Sequence, residues 1–159
     1  TAANRFWVAV RSVCPAASLP WLLQRALPGG CVAQNSCRFF GKVAYDDDYP
    51  GGAFDATEGE RIAKVLGDKD ILFMANHGIT VLANSIAQAW DQLYFLNRAC
   101  EAQVIAMSTG RPLRKLPEEV VRTTALQIEA EESGAAANFN RHFAALKRLL
   151  ERDNSNYKT

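Results

Sequence analysis

The strongest constraint on the fold of this chain is a pair of short apolar runs, Ile71-Leu72-Phe73-Met74-Ala75 and Ile79-Thr80-Val81-Leu82-Ala83, separated only by Asn76-His77-Gly78. The first run has no polar alternation and lies between polar turns, which at this length predicts a β-strand covered on both faces. The second run is also of β-type sequence. The triplet between them predicts a tight reversal or bulge, with Gly78 free to take a positive φ. Ser85, with Gln88 three residues on, has the pattern of a capping box. It opens the longest predicted helix, Ile86 to about Met107. There Ile86, Ala89, Trp90, Leu93, Leu96, Cys100, Val104 and Met107 recur at three- and four-residue steps and predict a core stripe.

Upstream, Cys37 to Tyr45 has the aromatic and β-branched content of a strand and runs into the turn-rich 46–52. Asp55 to Gly67 carries helix signals at both ends: Asp55 or Thr57 as a cap, Glu58 or Glu60 three residues on, and Gly67 as a left-handed stop. Its Ile62, Val65 and Leu66 predict a buried stripe. Two further helices are expected at Pro117–Glu132 and Asn138–Glu151, the second with Phe139, Phe143, Leu146 and Leu150 on one face, before a polar tail. Strands alternating with a short and then a long helix predict a layered α/β domain. Three strands are too few to be covered by so much helix, so further sheet is expected to be missing or to lie in residues 1–36. That segment otherwise resists assignment, with Trp21–Leu27 at most two helical turns.

A length of 159 residues fits one domain, and 18 Lys+Arg against 17 Asp+Glu gives a net charge of +1, which disfavours a nucleic-acid binder. The balance conceals a seam. Residues 1–45 carry five basic side chains and no Asp or Glu, together with three of the four Cys and two of the three Trp. No run reaches the length of a membrane span, and Phe6–Val10 is closed off by Arg11. Cys14, Cys31, Cys37 and Cys100 form no Cys-x-x-Cys pair, which reads as free thiols in a cytoplasmic protein.

His77 is the most suggestive candidate for chemistry. At the end of a buried strand and before Gly78, its imidazole can enter a cleft as a metal ligand or acid/base group; equally, it can bond a loop carbonyl and pin the reversal. His142 is expected at the solvent edge of its helix, with Arg141 beside it. Asp46-Asp47-Asp48 lacks the ligand spacing of an EF-hand and reads as a solvated loop. No Cys has an adjacent His to act as a base. The pairs Gly29-Gly30 and Gly51-Gly52 lack the context of phosphate loops, and Trp90, Tyr94 and Phe95 read as helix packing.

Three segments resemble the class II aldolase/adducin family. They are Gln34-Asn35-Ser36-Cys37-Arg38-Phe39-Phe40-Gly41-Lys42-Val43-Ala44-Tyr45-Asp46, Glu58-Gly59-Glu60-Arg61-Ile62-Ala63, and Asp70-Ile71-Leu72-Phe73-Met74-Ala75-Asn76-His77-Gly78 with the long Glu101-containing helix that follows. The resemblance implies a three-layer α/β/α class II aldolase-like domain, incomplete here. It divides the chain into an atypical leader (1–31), an α/β core (32–115) and C-terminal helices with a polar tail (116–159). It further implies a homotetramer with active sites between subunits. It also implies a divalent ion, commonly Zn²⁺, held by two His of a His-x-His pair and one from the Asn-His-Gly turn. His77 matches that third ligand. In such a site the ion polarises a sugar-phosphate carbonyl while a carboxylate moves the proton, the aldehyde-lyase chemistry of an aldolase.

Residues 1–31 contain no His, Asp or Glu. The His-x-His pair and the upstream carboxylate are therefore missing, and the chain as given is expected not to catalyse aldol cleavage. Their place is taken by text consistent with an altered reading frame, exon or start. The resemblance leaves two alternatives open: a non-catalytic, adducin-like binding domain serving actin and cytoskeletal assembly, and a marginally folded fragment.

Overall fold

The computed structural model describes residues 6–10, 31–48, 56–75, 77–133, 138–153 and 156. Its elements in chain order are β1 (Phe6–Val10), α1 (Gln34–Cys37), β2 (Val43–Asp46), α2 (Ala56–Leu66), β3 (Ile71–Met74), β4 (Gly78–Ala83), α3 (Ile86–Ser108), α4 (Glu118–Glu132) and α5 (Asn138–Arg152). The strands form one sheet in the order β1-β4-β3-β2. β2 and β3 are parallel, joined through α2, while β3–β4 and β4–β1 are antiparallel. The reversal expected at 76–78 is there: Met74 pairs with Gly78 and Phe73 with Ile79, and Gly78 sits at φ 153°. The further strand expected somewhere in 1–36 is β1, on the β4 edge, with Phe6 opposite Ala83 and Val10 opposite Ile79.

Side chains alternate across β3, although its sequence does not, because both faces are covered. Ile71, Phe73 and Val81 pack with Leu96, Ala99 and Cys100 of α3 on one side, joined by Phe39, Val43 and Tyr45. Leu72, Met74 and Leu82 pack with Leu66, Ile62 and Val65 of α2 on the other. A strand with helices on both faces has no solvent side to write polar residues on, which is why 71–75 reads as an unbroken apolar run. This gives the three-layer α/β/α arrangement. α2 stops where expected, at Gly67 with φ 57°. The caps proposed at Asp55, the turn at 50–52 and the helical segment at 21–27 lie outside the described residues.

Four expectations are corrected. Cys37–Phe40 is not strand: Cys37 closes α1, and Phe39, Phe40 and Lys42 donate main-chain hydrogen bonds to Ser36, Cys37 and Phe39. Gly41 at φ 72° then turns the chain into β2. The aromatic content found burial in two directions, Phe39 under α3 and Phe40 against Val121 of α4, rather than in a ladder. Secondly, the core stripe of α3 holds at Ala89, Leu93, Leu96, Cys100 and Val104 but fails at Ile86 and Trp90. Ala89, Asp91, Leu96, Ala99, Cys100 and Gln103 are buried, whereas Ile86 is 59% and Trp90 42% exposed. Small residues at 89 and 99 let the helix approach the sheet, which a Trp on that face would prevent.

Thirdly, the capping box at Ser85 is half formed. Ser85 Oγ accepts the Gln88 N–H at 3.2 Å, but the side-chain Oε1 of Gln88 reaches one residue further back and accepts the N–H of Asn84 at 3.0 Å. Fourthly, no residue of α5 is fully buried, and Leu150, expected on the apolar face, is 43% exposed.

Candidate functional site

The parallel strands β2 and β3 end together, and the reversal that carries His77 follows at that end. Asp46 is the last residue of β2. Its carbonyl accepts the N–H of Ala75 at 2.8 Å, and the N–H of His77 donates to Met74 O at 3.2 Å, so Asp46 and the Asn-His-Gly turn share one end of the sheet. His77 is partly buried there and engaged by its surroundings. An imidazole at such a turn can transfer a proton near neutral pH or act as one metal ligand.

Asp46 does not belong to a solvated loop, contrary to expectation. It is 4% exposed, and its two oxygens accept from Arg61 Nη1 at 2.8 Å and Nη2 at 2.6 Å. Arg61, one turn into α2, also donates to Glu58 from Nε and Nη2, both at 2.8 Å. The N–H of Asp48 adds a 3.2 Å bond to Asp46 Oδ1. Hydrogen bonding from Arg61 holds the Asp46 carboxyl below the usual carboxylate range, ahead of the opposing effect of burial. A carboxylate so neutralised is a poor proton acceptor; its role is to fasten α2 to the end of β2. Asp47 and Asp48 are exposed.

A second polar cluster, which sequence reading missed, joins four segments. Arg38 Nη1 lies 3.0 Å from Asp91 Oδ2 and also pairs with Glu132 at the end of α4. The other Asp91 oxygen is 2.7 Å from Nδ1 of His142 on α5. The guanidinium of Arg38 sits 4.1 Å from the Phe95 ring centre, and the His142 ring meets Tyr94 edge-on at 4.8 Å. His142, still a quarter exposed at the edge of its helix, docks α5 on α3. The sequence signal was available but faint: a charged residue, Asp91, at the margin of an apolar stripe. Burial outweighs the attraction of Arg38 and pushes the Glu132 carboxyl up, since Arg38 is shared with Asp91.

Tyr45 stacks on Phe73 with ring centres 5.5 Å apart, and burial drives its phenol pKa up. A cavity of about 640 Å³ opens elsewhere, between the start of α3 and the α4–α5 pair, lined among others by Lys42, Ser85, Gln88, Glu132 and Asn140.

A three-His centre needs more than this chain has at His77. The sequence contains two His, and the second is held by Asp91. Among the described residues no group of three or more His, Cys, Asp or Glu gathers to hold a metal ion. The residues present do not fit the ion that the resemblance implies. Among the described residues, no helix is long and apolar enough to cross a membrane.

The model of the "Class II Aldolase and Adducin N-terminal domain" matches residues 12–104, more than half of the chain. A Caulobacter vibrioides protein named for the class 2 aldolases is 40% identical over 80 residues, 50% of this chain and 31% of its own length. The decarboxylase NovR of Streptomyces niveus is 31% identical over 74% of this chain and 43% of its own length. Adducins are also among the relatives. The crystal structure of an aldolase II superfamily protein from Pseudomonas syringae superposes with a TM-score of 0.78 at 33% identity, covering 98% of this chain and 59% of that one. The matches span 31% and 43% of the first two of these relatives and 11% of human gamma-adducin. On the matched family model and the shared three-layer fold, the chain belongs to the class II aldolase and adducin N-terminal domain family.

Proposed function

We propose that this chain is a class II aldolase-type domain that keeps one metal-ligand position, His77, and does not by itself carry out metal-dependent aldol cleavage of a sugar phosphate. The observation that carries the reading is the histidine inventory: two in the chain, with His142 committed to Asp91. One imidazole is a weak Zn²⁺ site, because the remaining ligands must be water or come from another chain. A homo-oligomer, of which the family tetramer is the reference, is the assembly in which such ligands could be shared. The body of the domain takes in β1 and the matched residues 12–104, followed by the helices of 116–159, and residues 1–31 supply none of the first metal ligands that the family resemblance implies. A soluble, cytoplasmic setting goes with this reading.

The test is a retro-aldol assay on phosphorylated ketoses with added Zn²⁺, alongside metal analysis of the purified chain. No turnover and well under one Zn²⁺ per chain are expected. Metal-dependent turnover that His77→Ala abolishes would overturn the reading.

The adducin relatives favour a second reading, a non-catalytic binding domain acting on the actin cytoskeleton. Cosedimentation with actin filaments separates the two: pelleting with filaments supports it, and a chain left wholly in the supernatant removes it.

A further inference from the structure

Cys31 and Cys37 are six residues apart, yet the turn through α1 brings both side chains into one buried cluster, with the Cys37 thiol donating to Ala33 O at 3.7 Å. Both are unoxidised and buried, Cys31 at 5% and Cys37 at 0% exposure. With Val121 of α4 they form a small apolar cluster, flanked by Phe40 and Leu116. The main chain reinforces the contact: Leu116 N–H donates to Cys31 O at 2.8 Å. The thiol pair therefore sits under the segment that leads into α4 and helps to dock it on the core. None of this bears on His77 or on the proposed function.

We propose that Cys31 and Cys37 form a redox modification site, closing to an intrachain disulfide by exchange with a small-molecule disulfide. The Cys31 thiolate attacks one sulfur of the reagent and releases the first thiolate. The Cys37 thiolate then attacks the Cys31 sulfur of the mixed disulfide and releases the second. Two protein thiols are oxidised, the reagent is reduced to two thiols, and the two thiol protons end on those leaving groups. The order follows from the geometry. Cys31 is the more accessible, while burial, ahead of the neighbouring Cys31, raises the Cys37 thiol to about 11 and leaves it the slower nucleophile. Closure would link the two ends of the turn that contacts Leu116 and Val121, and so stiffen the docking of α4.

The experiment uses the whole chain, folded, with oxidised glutathione as the reagent. After an acid quench, the protein is alkylated in urea and digested with trypsin. Both cysteines then fall in one peptide, residues 26–38, because Arg25 and Arg38 flank them. The expected result is that peptide two hydrogens lighter and unalkylated, restored by dithiothreitol, with Cys14 and Cys100 alkylated as before. In the closed form, amide exchange across residues 112–121 slows several-fold. Full alkylation at both positions would overturn the proposal. So would a glutathione adduct that stays on Cys31 without closing, or a link from either cysteine to Cys14. Closure with unchanged exchange at 112–121 would overturn its effect on α4.

Discussion

The two charged clusters of this domain are built from similar parts and do different work. At the end of β2, Asp46, Arg61 and Glu58 join a strand to the helix that follows it, and the Arg is still 30% exposed on its side chain. Across the helical layer, Arg38, Asp91, His142 and Glu132 come from four segments, and Arg38 is only 14% exposed, while the central carboxylates are alike, Asp46 at 3% and Asp91 at 5%. In the first, Arg61 reaches water and can replace a lost partner more readily than Arg38 can. In the second, removing Asp91 takes a buried carboxylate from Arg38, which keeps Glu132, and from Nδ1 of His142. Closeness along the chain and access to water thus decide how much of the fold a charge holds.

That contrast orders the expected effects. Asp91→Ala is the largest, a loss of about 3 kcal/mol in urea unfolding, since it removes the buried carboxylate shared by Arg38 and His142 and leaves Arg38 with Glu132. A loss under about 1 kcal/mol would show that the second cluster is no more structural than the first. Asp46→Asn removes charge from an equally buried carboxylate whose partner, Arg61, reaches water and keeps Glu58, and costs about 1–2 kcal/mol in the same measurement.

The pH dependence separates the clusters by sign. Asp46 titrates lower folded than its ordinary 3.8, so its stabilisation is complete above that value and is lost as pH falls through the lower, folded one. Glu132 titrates higher folded than its ordinary 4.5, so its ionisation opposes folding above the raised value, and that penalty is relieved as pH falls toward 4.5. Thermal melts of Glu132→Gln should therefore gain on the parent near pH 7 and lose that advantage near pH 4.5. An advantage that grew with acidity would reverse the assignment.

Two smaller effects sharpen the comparison by lying outside both clusters. Ser85→Ala removes the oxygen that accepts from Gln88 and should cost about 1 kcal/mol, the ordinary worth of a helix cap. Ile86→Ala should stay within about 0.5 kcal/mol by chemical unfolding, because Ile86 faces water. A loss of about 2–5 kcal/mol, typical of a core aliphatic, would return Ile86 to the stripe that periodicity alone assigns it.

The sequence carried the local signals well. The reversal at His77, the stop at Gly67, the start of α3 after Ser85 and the start of α4 after Pro117 all depend on residues within a few positions of each other. Where it misled, the deciding partner was distant. Cys37–Phe40 has strand composition, but its side chains had helices to bury against on two sides. Ile86 and Trp90 fit the helical period, but the sheet kept only the part of that stripe around Ala89, Leu96 and Cys100 and added Ala99. At the candidate site, His77 was found from its neighbours alone, and the Asp46–Arg61 pairing was not, although the strand and helix that carry it were.

By itself, the sequence determined the alternation of strands and helices, the double covering of β3 and the position of the one histidine at the end of the sheet. These follow from hydrophobic period, caps and turn residues, whose energetics are local. Only the tertiary structure decided that β1 completes the sheet beside β4, that α3 buries Asp91 rather than Trp90, and that His142 is drawn inward to that buried carboxylate. Each of those outcomes turns on which surfaces exclude water together, and that depends on segments far apart in the chain.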